Sequence, residues 1–247
     1  MKLDSVFLLC DIDGVLADFV GEFQLYMRLA YGQTLPIAHL NTFDLDRCIE
    51  GFLSDAKPEA AAAFIERFSP THVLGQIFMN PYFYWHLKPY FEVKDALDLR
   101  TGPLVYITNR DAALGRVTAE WLRAWGVRTY PYSGLKTAFK GEPYARDVDQ
   151  KRGVVYTKHK DLLIAQTLAD YPDRRAVFIE DNPANVEAVA SACASAGVAS
   201  RIRIVLIDQP YNRAPVAPPV MRWTREQLLE RMTDERRLFD SGADTTL

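Results

Sequence analysis

The sequence predicts an α/β protein built on a doubly wound parallel sheet, and three stretches carry that expectation. Val6-Phe7-Leu8-Leu9-Cys10, Leu104-Val105-Tyr106-Ile107 and Ala176-Val177-Phe178-Ile179 are short apolar runs. Each has the continuous hydrophobicity of a strand buried on both faces. Each also ends abruptly in polar residues: Asp11 and Asp13 after the first, Thr108 and Asn109 after the second, Glu180 and Asp181 after the third. Open parallel sheets bind ligands in the crevice outside their strand carboxyl ends. All three runs therefore direct polar groups to one region.

The first run sets the pattern. Alternate side chains of an extended chain share a face, so Asp11 and Asp13 can lie together. Gly14 lets the chain turn sharply and carry Asp13 over the strand end. Two carboxylates that close repel unless a cation or a proton sits between them. Asp and Gly are also ordinary turn residues, but the apolar residues leading straight into Asp11 weigh against a surface turn.

Asp11-Ile12-Asp13-Gly14-Val15-Leu16-Ala17-Asp18 resembles the first motif of the haloacid dehalogenase (HAD) phosphatase superfamily. Its longer form, ending Val-Leu-Ala-Asp, resembles the 5'(3')-deoxyribonucleotidase branch. The resemblance implies a HAD-like Rossmannoid core with a small helical cap inserted after the first strand. It further implies that Asp11 attacks phosphorus, that Asp13 is the general acid/base, and that Mg2+ is bound beside them.

Composition narrows the partners. The chain has 247 residues, 49% hydrophobic and 25% charged, with a net charge of -3. Length permits one large domain or a core with a smaller cap. No broad basic surface of the nucleic-acid-binding kind is present. An acidic protein acting on an anionic phosphate needs local cations, and a metal is the obvious source. Cys10, Cys48 and Cys193 are scattered and read as free thiols of a reducing cytoplasm. No signal peptide is expected at the start of the chain, and no apolar stretch nears the ~20 residues of a membrane span.

Residues 19–88 are expected to form the helical cap, flanked by a core of 1–18 and 89–240. The segment holds about half of the chain's aromatic residues. Most would pack a small helical core, and some would line a pocket for a flat ring. Asn80 to Pro89, with Tyr82, Phe83, Tyr84 and Trp85, resembles the aromatic return from cap to core in the nucleotidase branch. Read as an extended segment, it would point alternate aromatics apart, with Phe83 and Trp85 as candidate substrate contacts.

Leu104 to Thr108 is the second strand, followed by a helix through Leu114, Val117, Trp121, Leu122 and Trp125 with Gly126 as its stop. Thr108 matches the superfamily's second motif, a hydroxyl that hydrogen-bonds the phosphoryl group, and Asn109 stands beside it. Thr108 also reads as a simple helix N-cap. Arg110 either adds charge to the site or is solvated. Residues 127–157 contain two short strands, Val127 to Tyr130 and Val154 to Thr157, around a hairpin-like excursion.

Lys158 precedes an amphipathic helix, where the resemblance implies a lysine that neutralises nucleophile and phosphate. Lys160 is its rival. Glu180-Asp181 resembles the fourth motif, which completes the Mg2+ site; many relatives have two aspartates there. The implied metal set is Asp11, Asp13 through its main-chain carbonyl, and Asp181, with Glu180 direct or through water. Asn182 and Pro183 cap the next helix. Asp18 is a further candidate near the site. Ile202 to Ile207 is another strand, and Asp208 to Arg213 resembles a segment of bacterial nucleotidases. Thr224 and Gln227 form a capping box for a terminal helix, and residues 241–247 are expected to be disordered.

The function implied is Mg2+-dependent hydrolysis of a nucleoside monophosphate through an aspartyl-phosphate. Alternatives are another small phosphate ester, a nucleic-acid 3'-phosphate end, and a non-catalytic Mg2+- or nucleotide-binding module.

Overall fold

A computed structural model describes residues 6–32, 45–59, 61–62, 75, 77–99, 102–130, 147–213, 215–216 and 220–232. The first apolar run, Val6–Cys10 (β1), is buried along its whole length. It pairs in parallel with Leu104–Thr108 (β2) on one side and Arg175–Glu180 (β5) on the other. Asp147–Asp149 (β3), Val154–Tyr156 (β4), Ile202–Ile207 (β6) and Met221–Trp223 (β7) complete a seven-stranded sheet of order β3-β4-β2-β1-β5-β6-β7. Only β3 runs antiparallel.

Helices cover both faces. Leu8, Cys10, Tyr106 and Ile179 point into one layer, and Phe7, Leu9, Ile107 and Phe178 into the other, as the alternation of strand side chains requires. The first layer is closed by Phe19–Tyr31 (α1), Pro81–His86 (α3), Phe91–Asp98 (α4), Gly115–Ala124 (α5) and Arg225–Met232 (α8), through residues such as Phe23, Tyr84, Leu97, Trp121 and Leu228. Leu45–Asp55 (α2) follows α1 and contributes the buried Ile49. The second layer is closed by Lys160–Asp170 (α6) and Pro183–Ser195 (α7), through Leu163, Leu168, Val186 and Val189. The doubly wound α/β fold is thus as expected.

Topology places the crevice. The chain steps from β1 to β2 and β4 on one side, then crosses to β5 and β6 on the other. The direction of winding reverses at β1 and β5, and a switch point of that kind is where open sheets bind ligands. Asp11 follows β1 directly, and Glu180 ends β5 with Asp181 next in the chain.

Local signals explain most element ends. The Asn182 side chain accepts from the Ala184 N–H at 2.9 Å with Pro183 in the first position of α7. Thr224 and Gln227 bond reciprocally at 2.9 and 3.2 Å before α8. Two expectations change. Residues 127–130 form no strand, because β4 itself occupies the place beside β2. Instead β3 makes a hairpin with β4, and β7 extends the other end. The aromatic return is a helix, not an extended segment: Asn80 caps it by accepting from the Tyr82 N–H at 3.0 Å, and Pro81 opens it. Most of 33–76, the excursion at 131–146 and the tail at 241–247 lie outside the described residues. Among the described residues, no helix is long and apolar enough to cross a membrane. Cys10 and Cys193 are free and buried; the Cys48 side chain is outside the described set.

Candidate active site

Asp11 sits one residue beyond β1, where its N–H still donates to the Ile179 carbonyl at 3.0 Å. That bond fixes its backbone to β5. Its Oδ1 accepts from the Ile12 N–H at 2.7 Å, and its Oδ2 lies 2.7 Å from Lys160 Nζ. Lys160 opens α6, is buried, and donates equally to Glu180 Oε2 at 2.7 Å. Lys158 is exposed. Of the two rival lysines, the fold therefore brings Lys160 to the acids, because Lys160 is the buried first residue of α6 and Lys158 lies exposed before the helix begins.

The three acids are not equivalent. Both oxygens of Glu180 are engaged, Oε2 by Lys160 and Oε1 by the N–H groups of Asp181 and Asn182 at 3.2 Å each. Asp181 Oδ2 accepts from the Tyr211 hydroxyl at 2.5 Å, while its Oδ1 is buried with no hydrogen-bond partner. Asp11, Glu180 and Asp181 can each bring one oxygen within 4.8 Å of the others. An orphaned buried carboxylate oxygen is costly unless something is meant to meet it. An all-oxygen donor set suits a hard divalent cation such as Mg2+.

Electrostatics point the same way. Burial pushes the Asp11 and Asp181 carboxyls well above the usual carboxylate range, and the charge of Glu180 adds to the push on both. Burial acts on Glu180 too, but the Lys160 ammonium outweighs it and holds that carboxyl below its ordinary value. One ammonium thus pairs with two of three clustered buried acids. In the folded state Asp11 and Asp181 retain protons that an unfolded chain releases, so their stabilising contribution is lost as pH rises through their raised values. Glu180 has the opposite sign, and its contribution is lost only as pH falls through its depressed value. The cation-free protein is therefore expected to melt at higher temperature as pH is lowered through the raised range of Asp11 and Asp181, while it stays above the depressed range of Glu180. Thermal melts in EDTA and in Mg2+ check this, because a bound ion should flatten the trend by competing with the protons.

Gly14 makes the close approach possible. Its φ is 78°, and a Cβ there would fall 1.9 Å from Asp181 Oδ2 and 2.7 Å from the Tyr211 hydroxyl. Any side chain would collide with the acid cluster as well as strain the turn.

Asp13 lies on the other side of the loop, in a two-pronged pair with Arg110. Arg110 Nε donates to Asp13 Oδ2 at 2.8 Å and Nη2 to Oδ1 at 2.6 Å, while Nη1 donates to Thr118 Oγ1 at 3.1 Å. The guanidinium stacks 4.6 Å from the Tyr84 ring centroid and is buried rather than solvated. Thr108 is buried at the end of β2, and its hydroxyl accepts from the Arg110 N–H at 3.2 Å. It is not the helix cap: Asp111 caps the turn at Ala112–Leu114 by accepting from the Ala113 N–H. Asn109 is exposed.

The remaining candidates do other work. Asp18 is the N-cap of α1, accepting from the Gly21 N–H at 2.9 Å and from the Tyr90 hydroxyl at 2.7 Å. Phe83 is buried among Phe19, Tyr26 and Tyr84 in edge-on contacts, so it packs rather than faces a pocket. Trp85 is 41% exposed and Tyr82 78%.

Three residues without an assigned role in the sequence reading join the site from beyond β6. The Gln209 Nε2 donates to the Gly14 carbonyl at 2.6 Å, Asn212 Nδ2 donates to the Asp181 carbonyl at 2.7 Å, and Tyr211 reaches Asp181 itself. Arg225 donates to Gln209 Oε1 at 2.9 Å and stacks 3.5 Å from the Tyr90 ring centroid. The run Gln209-Pro210-Tyr211-Asn212 was a visible signal, polar residues just past a buried strand, but nothing in its spacing names the partners.

No family model matches the chain, and no curated protein matches it. Solved structures do. A haloacid dehalogenase-like hydrolase from Burkholderia xenovorans LB400 is 18% identical, with 92% of this chain and 98% of that chain covered at a TM-score of 0.46. A haloacid dehalogenase-like family hydrolase from Streptococcus pneumoniae is 16% identical over 93% of this chain and 99% of its own, TM-score 0.48. A HAD family hydrolase from Deinococcus radiodurans R1, with bound phosphate and sodium, is 16% identical over 97% and 98%, TM-score 0.49.

Proposed function

We propose that this protein is a HAD-type phosphomonoesterase that needs a divalent cation and acts on nucleoside monophosphates. The observation that carries the reading is Asp11: a carboxylate anchored at the crevice, touching Lys160 and beside an acid with one unpartnered oxygen. Asp11, Asp181 and the Asp13 main-chain carbonyl would hold the cation. The bound ion, Mg2+ in the resembling family, would offset the charge between carboxylate and phosphate.

The chain's own residues would do the rest. An Asp11 oxygen bonds to phosphorus as the bond to the leaving alcohol breaks, giving an aspartyl-phosphate. Asp13 gives the alcohol its proton, then takes one from the water that releases orthophosphate. One Asp13 oxygen must leave the Arg110 fork to do this, so Arg110 governs where Asp13 points. Lys160 and Thr108 would steady the transferring oxygens, since phosphoryl transfer depends mainly on positioning and charge stabilisation. Glu180 holds Lys160.

Phosphatase turnover is expected to vanish in EDTA and return with Mg2+, and Asp181→Asn should raise the Mg2+ concentration needed for half-activity. Full turnover in chelator would remove the cation from the mechanism. Substrate choice is tested separately, because two of the four return aromatics are consumed in packing. Phe83→Ala should cost about 3–5 kcal/mol of stability. Trp85→Ala should weaken kcat/KM for a nucleoside monophosphate by roughly 5- to 150-fold while sparing a ringless phosphate, as loss of base stacking worth ~1–3 kcal/mol predicts. Equal losses on both substrates would favour a general small-phosphate phosphatase instead.

A further inference from the structure

Asp181 meets two demands at once: its Oδ1 is bare and buried, and its Oδ2 is occupied. The occupant is Tyr211, delivered by a short arch after β6 that is itself tied to both sides of the site. Asn212 grips the Asp181 carbonyl, and its own Oδ1 accepts from the Gln209 N–H at 3.0 Å and from Arg222 at 2.8 Å. Gln209 grips the Gly14 carbonyl in the loop that carries Asp13. The Tyr211 ring is buried, so its hydroxyl has little freedom to turn elsewhere. The absence of a side chain at Gly14 keeps the approach to Asp181 Oδ2 open, since a Cβ there would overlap both the carboxylate and the hydroxyl.

Resting on the cation-dependent reading above, we infer that Tyr211 is a positioning residue for the cation site, fixing Asp181 as a one-oxygen ligand through Oδ1. Its hydroxyl takes up the second oxygen and sets the rotation of the carboxylate. Selectivity follows from that geometry. Mg2+ demands near-octahedral coordination, whereas Ca2+ accepts carboxylates bound through both oxygens. A carboxylate with one oxygen already engaged suits the smaller ion. Hydrogen-bond partners of metal ligands typically contribute 10–100-fold to metal affinity.

The test is Tyr211→Phe, which removes only the hydroxyl, with Mg2+ and Ca2+ affinities measured by titration calorimetry on the full chain and melting temperature recorded alongside. Wild-type protein should bind Mg2+. The variant should bind Mg2+ roughly 10–100-fold more weakly while Ca2+ affinity falls less, so the ratio of the two shifts toward Ca2+. Unchanged affinities, or equal losses for both ions with a lowered melting temperature, would make Tyr211 a packing residue and overturn the inference. Wild-type protein that binds neither ion would instead overturn the cation-dependent reading, and this inference with it.

Discussion

Asp11→Asn is expected to lower kcat by roughly 10⁴–10⁶-fold, the scale on which removal of an enzyme's nucleophile is felt. The amide matches the carboxylate in shape and keeps an oxygen to accept from the Ile12 N–H, whose bond is 2.7 Å long. Lys160 retains Glu180 as a partner. What disappears is the anionic oxygen that would attack phosphorus. The amide nitrogen would stand where Oδ2 now lies 2.7 Å from Lys160 Nζ, donor against donor, but the ammonium can turn wholly to Glu180, so the fold should survive at a modest cost in stability. The variant should therefore be well folded and inactive, and should trap no phosphoenzyme when quenched during turnover. Near-normal turnover would mean that the nucleophile lies elsewhere.

Lys160→Met carries the largest expected effect on stability. The ammonium is the direct ion-pair partner of both Asp11 and Glu180, and all three side chains are buried. Removing one partner of a buried pair costs about 3–5 kcal/mol, because the remaining charges are left uncompensated. In a domain of this size that corresponds to a fall in melting temperature of roughly 6–20 °C. Turnover should fall with it, since the same ammonium faces the nucleophile. Lys158→Met is the comparator: an exposed side chain, expected to change stability by less than about 0.5 kcal/mol. Denaturant melts and turnover of the two variants separate the alternatives. Lost turnover in Lys158→Met with an active Lys160→Met would reverse the choice of lysine.

That choice shows where sequence reading stops. The buried strands were legible because a parallel strand covered on both faces must be apolar throughout, so an acid at its end is conspicuous; β1, β2 and β5 follow. The strand β3, Asp-Val-Asp, and β7, Met-Arg-Trp, carry no such run and gain their place from their neighbours. Lys158 and Lys160 lie two residues apart, and only where α6 begins decides which reaches inward. The helix Pro81–His86 could have been read from Asn80-Pro81, a cap followed by a first-turn proline, had the aromatic run not suggested an extended chain. Arg110 and Asp13 are 97 residues apart, and Tyr211 and Asp181 30. Such pairings are products of the fold, and neither residue announces its partner.

The short strand β3 has a consequence for the molecule in a crowded solution. Among the described residues it ends the seven-strand order, and a sheet edge is where a strand from a neighbour can be recruited. Of its three residues two are acidic, Asp147 and Asp149, and Asp147 is exposed. Asp149 is paired with Arg152 at 2.8 Å, but the Asp147 carboxylate accepts from the Val148 N–H at 2.8 Å, so a second copy approaching edge to edge would meet an exposed charge and an engaged donor before any ladder could form. The residues that contribute least to the core thus discourage the sheet from growing beyond its own chain.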